Sequence, residues 1–344
     1  MPMITRSTPT VHTINATEPE SWQQKLSTAV NCPEQLLDML GLDRALLPDA
    51  VKAGRLFSLR VPRGFVAKME RGNPNDPLLL QVLPLGQELL DTQGYSFDPL
   101  NEIAQNPCNG VIHKYPGRLL LITSGACAIN CRFCFRRHFP YGDNQLSGED
   151  WDNALRYIVA DTSIKEVILS GGDPLATSDK RLKKLAVALS DIPHVETLRI
   201  HTRLPLVIPE RITDEMIHWF TGTRLKPVMV IHCNHANEID GAVQNALNQL
   251  QQARVMLLNQ TVLLKGINDS VDVLVDLSQA LFQSSVLPYY LHVLDKVQGA
   301  AHFDVDEQTA ACLVNAMQKQ CPGYLVPKLV REIAGKPGKT PVTL

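Results

Sequence analysis

Three cysteines lie within one eight-residue stretch, Cys127-Ala-Ile-Asn-Cys131-Arg-Phe-Cys134. Thiolates bind zinc and iron–sulfur clusters. Structural zinc takes four ligands, so Cys108 or His138 would have to complete the set. A [4Fe–4S] cluster held by three thiolates instead leaves one iron open, and an open metal position is typical of catalytic sites. The spacing therefore favours a catalytic cluster, with structural zinc as the alternative.

A glycine pair follows the next apolar run, in LSGGDPL (169–175). Gly171 and Gly172 leave the backbone bare, so a bound molecule can approach it closely. Taken alone, the segment fits an ordinary turn in which Asp173 caps a helix. Beside the cysteines, it indicates a cofactor-binding turn.

From Arg118 onward, short apolar runs typical of strands alternate with segments of helical periodicity. The predicted strands are LLLIT (119–123), EVILS (166–170), TLRIHT (197–202), VMVIHC (228–233), VMLLNQTVLL (255–264) and YYLHVL (289–294). The segments with an apolar helical face include WDNALRYIV (151–159), EIDGAVQNALNQL (238–250) and EQTAACLVNAM (307–317). This alternation predicts a parallel sheet with right-handed crossovers.

Polar residues follow nearly every predicted strand, among them His201, Arg203, His232 and Asp295. Residues gathered at many strand ends favour a barrel, because an open sheet concentrates its site at one switch point. We therefore predict an α/β fold: a partial (β/α)6 TIM-like barrel over 108–344, with a mostly helical N-terminal extension over 1–107.

The composition is that of a globular protein: 344 residues, 44% of them hydrophobic, with a formal charge of −2. This charge gives no electrostatic reason to expect nucleic acid or a membrane surface as a partner. The N-terminus lacks the apolar core of an export signal, and no apolar run is long enough to cross a bilayer. The eight cysteines show no disulfide framework, so we expect reduced thiols and a cytoplasmic protein.

The C-x3-C-x2-C spacing after the first strand resembles the radical S-adenosylmethionine (SAM) superfamily, in which the open iron binds SAM. Many further blocks, in order, resemble the lysine 2,3-aminomutases, and more narrowly the short bacterial members that supply β-lysine for modification of elongation factor P. These blocks are HKYPGRLLLITSGACAINCRFCFRR, LSGGDPL, HCNHANEI, LLNQTVLLKGIND, LPYYLHVLDKVQGAAHF, PGYLVPKLV and GKPGKTPV. The resemblance implies a barrel of the radical SAM type and an isomerase that moves the amino group of lysine from C2 to C3.

The resemblance also implies a role for fifteen residues. Cys127, Cys131 and Cys134 match the cluster ligands, and Gly171, Gly172, Asp173 and His232 match the SAM site. Lys339 matches the lysine that carries pyridoxal 5′-phosphate (PLP), Tyr115 matches an aromatic against its ring, and Lys114, Arg118 and Gln260 match phosphate contacts. Arg136 matches the group that binds the substrate carboxylate. Asp295 and Glu332 match two acids for its distal ammonium, with Glu332 standing where aspartate is usual.

Two acids at the distal end favour lysine over arginine or ornithine, and place glutamate last because a third buried negative charge is unfavourable. The family implies flavodoxin or ferredoxin as the electron donor. The alternatives are another radical SAM enzyme, such as an RNA modifier or an aminomutase for another amino acid, and a non-catalytic metal-binding protein.

Overall fold

The computed structural model describes residues 20–144, 146 and 148–343. The expectation about export concerns the first residues of the chain, which lie outside this part. In the described part, none of the helices is both long and apolar enough to cross a membrane.

The fold is built on one nine-stranded sheet whose strands follow each other in chain order. Strands β2 to β8 are parallel, and β1 and β9 add antiparallel at the two edges. The strands are β1 Val111–Tyr115, β2 Arg118–Ser124, β3 Glu166–Gly171, β4 Thr197–Thr202, β5 Lys226–Ile231, β6 Met256–Val262, β7 Leu287–His292, β8 Lys328–Arg331 and β9 Thr340–Pro341. The first and last strands do not pair, so the sheet is an open, partial barrel.

Helices connect the parallel strands and pack their apolar faces against the sheet. The helices are α1 Trp22–Ser27, α2 Pro33–Leu40, α3 Leu47–Leu56, α4 Arg63–Val66, α5 Tyr141–Asn144, α6 Gly148–Ala160, α7 Asp179–Ser190, α8 Leu204–Val207, α9 Asp214–Thr221, α10 Gly241–Gln252, α11 Val271–Gln283 and α12 Glu307–Gln320. Each pair of consecutive strands from β2 to β8 is joined through at least one of them. The six predicted strands and the predicted (β/α)6 arrangement are therefore confirmed.

Three strands were not predicted. Strand β8 has four residues, KLVR, with cationic residues at both ends, and β9 has only two, so neither carries a strand pattern. Strand β1, VIHKY, precedes the first predicted strand and pairs with it antiparallel. Strands β8 and β9 bring the end of the chain back to the barrel.

In the described part of the N-terminal segment, residues 20–107, the α-helices lie in the first half. After Val66 it runs through turns and two 3₁₀ helices, Gly86–Leu89 and Ile103–Gln105, so the prediction of a mostly helical extension is wrong for this half. Prolines at 74, 77, 84, 99 and 107 explain the difference, because proline interrupts helical hydrogen bonding. Buried apolar side chains of this segment, such as Leu36, Phe65 and Leu79, belong to the same hydrophobic core as side chains of the barrel. A domain boundary at 107 stays a prediction.

Buried ion pairs attach this segment to the loop that carries the three cysteines. Glu88 binds Arg132 at 2.6 Å and Arg137 at 2.7 Å, and all three side chains are buried. Glu102 binds Arg136 in the same way at 2.6 Å. Charges buried in this way require close partners. The N-terminal segment thus supplies counter-charges that hold the cysteine loop in place.

Candidate active site

A cavity of about 1030 Å³ is lined by residues of β1 to β7 and of the loops that follow the strands. All fifteen residues that the sequence singles out line it. Pockets for single small molecules are commonly about 300–1,000 Å³. The cavity is therefore large enough for more than one small ligand.

The loop after β2 brings the three cysteines to this cavity as free thiols. Burial and then the neighbouring Cys131 raise the pKa of Cys134 to about 11. Burial, followed by Cys134, also raises the pKa of Cys127. A bound cationic cluster would stabilise the thiolate forms of Cys127 and Cys134, and with Cys131 beside them the loop offers three sulfur donors on one cavity wall. Their surroundings therefore fit an iron–sulfur cluster.

The two candidates for a fourth ligand outside the stretch, Cys108 and His138, do not line the cavity. Cys108 packs against the hydrophobic core, and the His138 ring contacts the carbonyl of Gln298 at 3.1 Å. The structure instead places Arg203 Nη1 2.7 Å from Cys131 Sγ. Among the described residues, neither Cys108 nor His138 therefore completes a four-ligand zinc site with the three cysteines.

The glycine turn after β3 packs directly on the cysteine loop. A Cβ atom on Gly172 would lie 2.5 Å from the carbonyl oxygen of Ala126, and Gly171 has a positive φ of +120° and faces the carbonyl of Ser124. The Asp173 carboxylate accepts hydrogen bonds from the backbone N–H groups of Leu175 and Arg203 at 3.0 and 2.8 Å. Both glycines are therefore required for close approach, and Asp173 has the capping role that its sequence position allows.

Five charged side chains of alternating sign line the cavity, each in contact with the next: Arg136, Glu102, Lys114, Glu332 and Lys339. Glu102 binds Arg136 through both oxygens, at 2.6 and 2.8 Å. Lys114 Nζ lies 2.7 Å from both Glu102 and Glu332. Lys339 Nζ donates to the other oxygen of Glu332 at 3.0 Å. The family resemblance implies that Lys114 contacts the phosphate of PLP. In this structure its ammonium lies between two carboxylates.

The two acids predicted for the substrate ammonium have opposite electrostatic surroundings. Burial raises the pKa of Glu332, but Lys339 and Lys114 outweigh it and hold the pKa well below its usual range. Burial and then the charge of Glu332 raise the pKa of Asp295 from 3.8 to about 7. Asp295 lines the same cavity after β7. A cation bound between them would favour the charged form of Asp295.

Tyr115, Arg118 and Gln260 line the same cavity as Lys339. Its Nζ lies 5.5 Å from the centre of the Tyr290 ring, and the Arg118 guanidinium lies 4.7 Å from the centre of the Tyr115 ring. Gln260 is buried and also lines the cavity. A lysine that shares a cavity with aromatic rings and with cationic and amide donors fits PLP, which presents an aldehyde, a flat ring and a phosphate.

Three histidines that line the cavity are held neutral. Burial, and then Arg203 and Lys339, lower the pKa of His232 to about 4. Burial lowers the pKa of His201 and His292 as well, and the Nε2 atoms of these two have no hydrogen-bond partner among the described residues. Polar atoms left without partners on a cavity wall are available to a bound molecule.

Several lining residues were not assigned a role from the sequence. His201 and Arg203 were visible as polar strand ends, but Glu102, Ser170 and His292 carried no signal for one. Glu102 lies in an irregular segment, DPLNEIAQ, far from the motifs in sequence. Its contact with Arg136 spans 34 residues and becomes visible only in the fold.

The chain is similar to known proteins over the segments that line the cavity. The family model of the radical SAM superfamily matches residues 121–220. The chain is 50% identical to the L-lysine 2,3-aminomutase of Haemophilus influenzae over 323 residues, which are 94% of this chain and 96% of that protein. It is 48% identical to the enzyme of the same name from Escherichia coli, covering 96% of this chain and 97% of that one. It is 33% identical to that of Clostridium subterminale, covering 93% of this chain and 77% of that protein.

Proposed function

The chain belongs to the L-lysine 2,3-aminomutase family of the radical SAM superfamily, and we propose that it moves the amino group of L-α-lysine from C2 to C3 to give β-lysine. The protein is an isomerase that requires SAM and a [4Fe–4S] cluster. The observation that carries the proposal is the near full-length identity of 50% to an L-lysine 2,3-aminomutase. The cavity supports it, because the three thiols and Lys339 line the same space.

We assign the cluster to Cys127, Cys131 and Cys134, and PLP to Lys339. When bound, the cluster and SAM supply the one-electron chemistry that removes a hydrogen atom, and PLP supplies the conjugated system over which nitrogen migrates. The glycine turn presents bare backbone where SAM is expected. Arg118 and Gln260 supply a cation and an amide for the phosphate of PLP, and Tyr115 supplies an aromatic ring that packs against the PLP ring.

Recognition of lysine requires one cation and two acids at fixed positions. Arg136 presents a guanidinium for the substrate carboxylate. Asp295 and Glu332 present acids for the distal ammonium, and both line the cavity. A substrate with a distal carboxylate would add a third negative charge beside Asp295, whose pKa is already raised to about 7. The electrostatics therefore favour lysine over glutamate.

The reaction also requires an electron, for which we propose flavodoxin or ferredoxin as the donor. We further propose that the β-lysine serves the modification of elongation factor P. The block-by-block resemblance to the short bacterial aminomutases supports this link. The eight cysteines, all free thiols, fit a reducing compartment such as the cytoplasm.

The test is anaerobic incubation of the reconstituted protein with L-lysine, SAM, PLP and a chemical reductant, followed by chromatography for β-lysine. We expect product from the wild type and none from Cys131→Ser or Lys339→Ala. Lys339→Ala should also fail to retain PLP on gel filtration, an outcome that does not depend on activity.

The matched control is Lys336→Ala, which removes an exposed lysine of the same terminal segment. This variant should still form β-lysine and should retain PLP on gel filtration. The assignment of PLP to Lys339 would be wrong if Lys339→Ala retained the cofactor as the control does. The function would be wrong if the wild type, loaded with all three cofactors, made no β-lysine.

A further inference from the structure

We propose that Glu102 is a positioning residue for lysine recognition. It fixes the orientation of Arg136, so that the guanidinium can pair with the substrate carboxylate. This inference rests on the proposed function and extends it to a residue of the N-terminal segment, outside the predicted barrel. Glu102 is 2% exposed and lines the cavity.

The contacts of Arg136 define how much of its guanidinium is left for a ligand. A guanidinium has five N–H donors. Glu102 takes one on Nε at 2.6 Å and one on Nη2 at 2.8 Å, and Ser170 Oγ takes one on Nη1 at 3.2 Å. One N–H on Nη1 and one on Nη2 remain. Two donors on neighbouring nitrogens are what a carboxylate accepts in a bidentate pair.

The position of Glu102 is itself fixed from two directions. Its backbone N–H donates to Asp98 Oδ1 at 3.0 Å, at the start of the 3₁₀ helix Ile103–Gln105. Its Oε1 also contacts Lys114 Nζ at 2.7 Å. Its carboxylate is held charged, because Arg136 and then Lys114 outweigh burial and lower its pKa. A buried anion with two cationic partners can hold both in place.

Removal of the Glu102 charge leaves Arg136 without its bidentate partner. The guanidinium can then turn about the side-chain torsions of Arg136, so the direction in which its two remaining donors point is no longer fixed. The carboxylate end of the substrate should lose affinity. Lys114 also loses a partner and contacts Glu332 at the ammonium end, but an effect there acts equally on ligands with and without the carboxylate. A residue that only supports the fold would weaken both ends alike.

The experiment compares the binding of L-lysine and L-lysinamide to the holoenzyme, loaded with cluster and PLP and kept without reductant so that no turnover occurs. Lysinamide keeps both amines and lacks the carboxylate charge. Dissociation constants are read from the change in PLP absorption. We expect the preference of the wild type for lysine over lysinamide to fall about tenfold in Glu102→Gln, the loss of roughly one charge-assisted hydrogen bond.

A double-mutant cycle assigns the effect to Arg136. Arg136→Gln should abolish the preference, and adding Glu102→Gln to it should change the preference no further, because the two residues act as one unit. The matched control is Glu166→Gln, which removes another cavity-lining acid that pairs with an arginine, Arg199. It should leave the preference unchanged.

Glu102→Asp provides a second variant that keeps the charge and withdraws it by one methylene, in case Glu102→Gln does not fold. It should lower the preference severalfold. Equal weakening of lysine and lysinamide in the Glu102 variants would overturn the inference, and so would additive effects in the cycle. A wild type that binds lysine no better than lysinamide would instead contradict the proposed role of Arg136.

Discussion

Replacement of Asp295 by asparagine should stabilise the protein without bound ligands and at the same time weaken lysine binding. In the folded protein, burial and the nearby charge of Glu332 raise the pKa of Asp295 from 3.8 to about 7. The folded state therefore binds more protons than the unfolded state between these pH values, and the contribution of Asp295 to stability falls as the pH rises through this window. Asparagine has nearly the same shape and no charge, so it removes this unfavourable contribution.

The magnitude follows from the two pKa values. At pH 8 the shift costs about 4 kcal/mol of folding free energy, and at pH 5 about 2 kcal/mol. Urea unfolding of the protein without cofactors should therefore show Asp295→Asn more stable than the wild type by about these amounts. The exposed Asp191→Asn is the control and should change stability by less than about 0.5 kcal/mol at either pH.

The same substitution should reduce the affinity of the holoenzyme for lysine, because one of the two acids proposed for its ammonium is lost. Stability and binding would then change in opposite directions, as expected for a group held in an unfavourable state for a ligand. A variant less stable than the wild type at pH 8, or a stability gain that is the same at pH 5 and pH 8, would show that the raised pKa of Asp295 does not lower the stability of the protein.

Three further predictions concern the site and its support. Lysine affinity of the wild type should rise as the pH passes about 7, where Asp295 ionises, and titration calorimetry should find this dependence absent in Asp295→Asn. The Cβ atom of Gly172→Ala would lie 2.5 Å from a backbone oxygen of the cysteine loop, so this variant should lose roughly 1–3 kcal/mol of stability and retain less iron after reconstitution. The control Gly241→Ala has open space around its Cβ atom and should show neither effect. Glu88→Gln leaves two buried arginines without their carboxylate and should cost about 3–5 kcal/mol in urea unfolding, whereas the exposed Glu34→Gln should cost less than about 1 kcal/mol.

Six of the barrel strands, β2 to β7, were predictable from the sequence because each of them is a local apolar run, and the helices between them show helical periodicity. An apolar run such as EVILS is buried as β3, and the periodic segment WDNALRYIV lies within α6. The cysteine and glycine candidates were recognisable for a similar reason, since each group lies within one short stretch of the sequence. Local patterns of this kind require no knowledge of distant contacts.

The remaining features depend on contacts between distant parts of the chain. Strand β8 is too short to show a pattern and exists because it pairs with β7. Glu88 and Glu102 read as ordinary surface acids, yet each is buried against an arginine of the cysteine loop. Lys114 matches a phosphate contact in the sequence, and only the fold shows that two carboxylates lie beside it. Side-chain partners of this kind cannot be read from a single sequence without its fold.

The proposed reaction moves the α-nitrogen of lysine from C2 to C3. The most direct measurement is incubation of the complete anaerobic system with L-lysine that carries ¹⁵N at its α-amino group, followed by NMR of the product. We expect β-lysine with the ¹⁵N bonded to C3. Recovery of the ¹⁵N only at C2, or its release as ammonium, would contradict it.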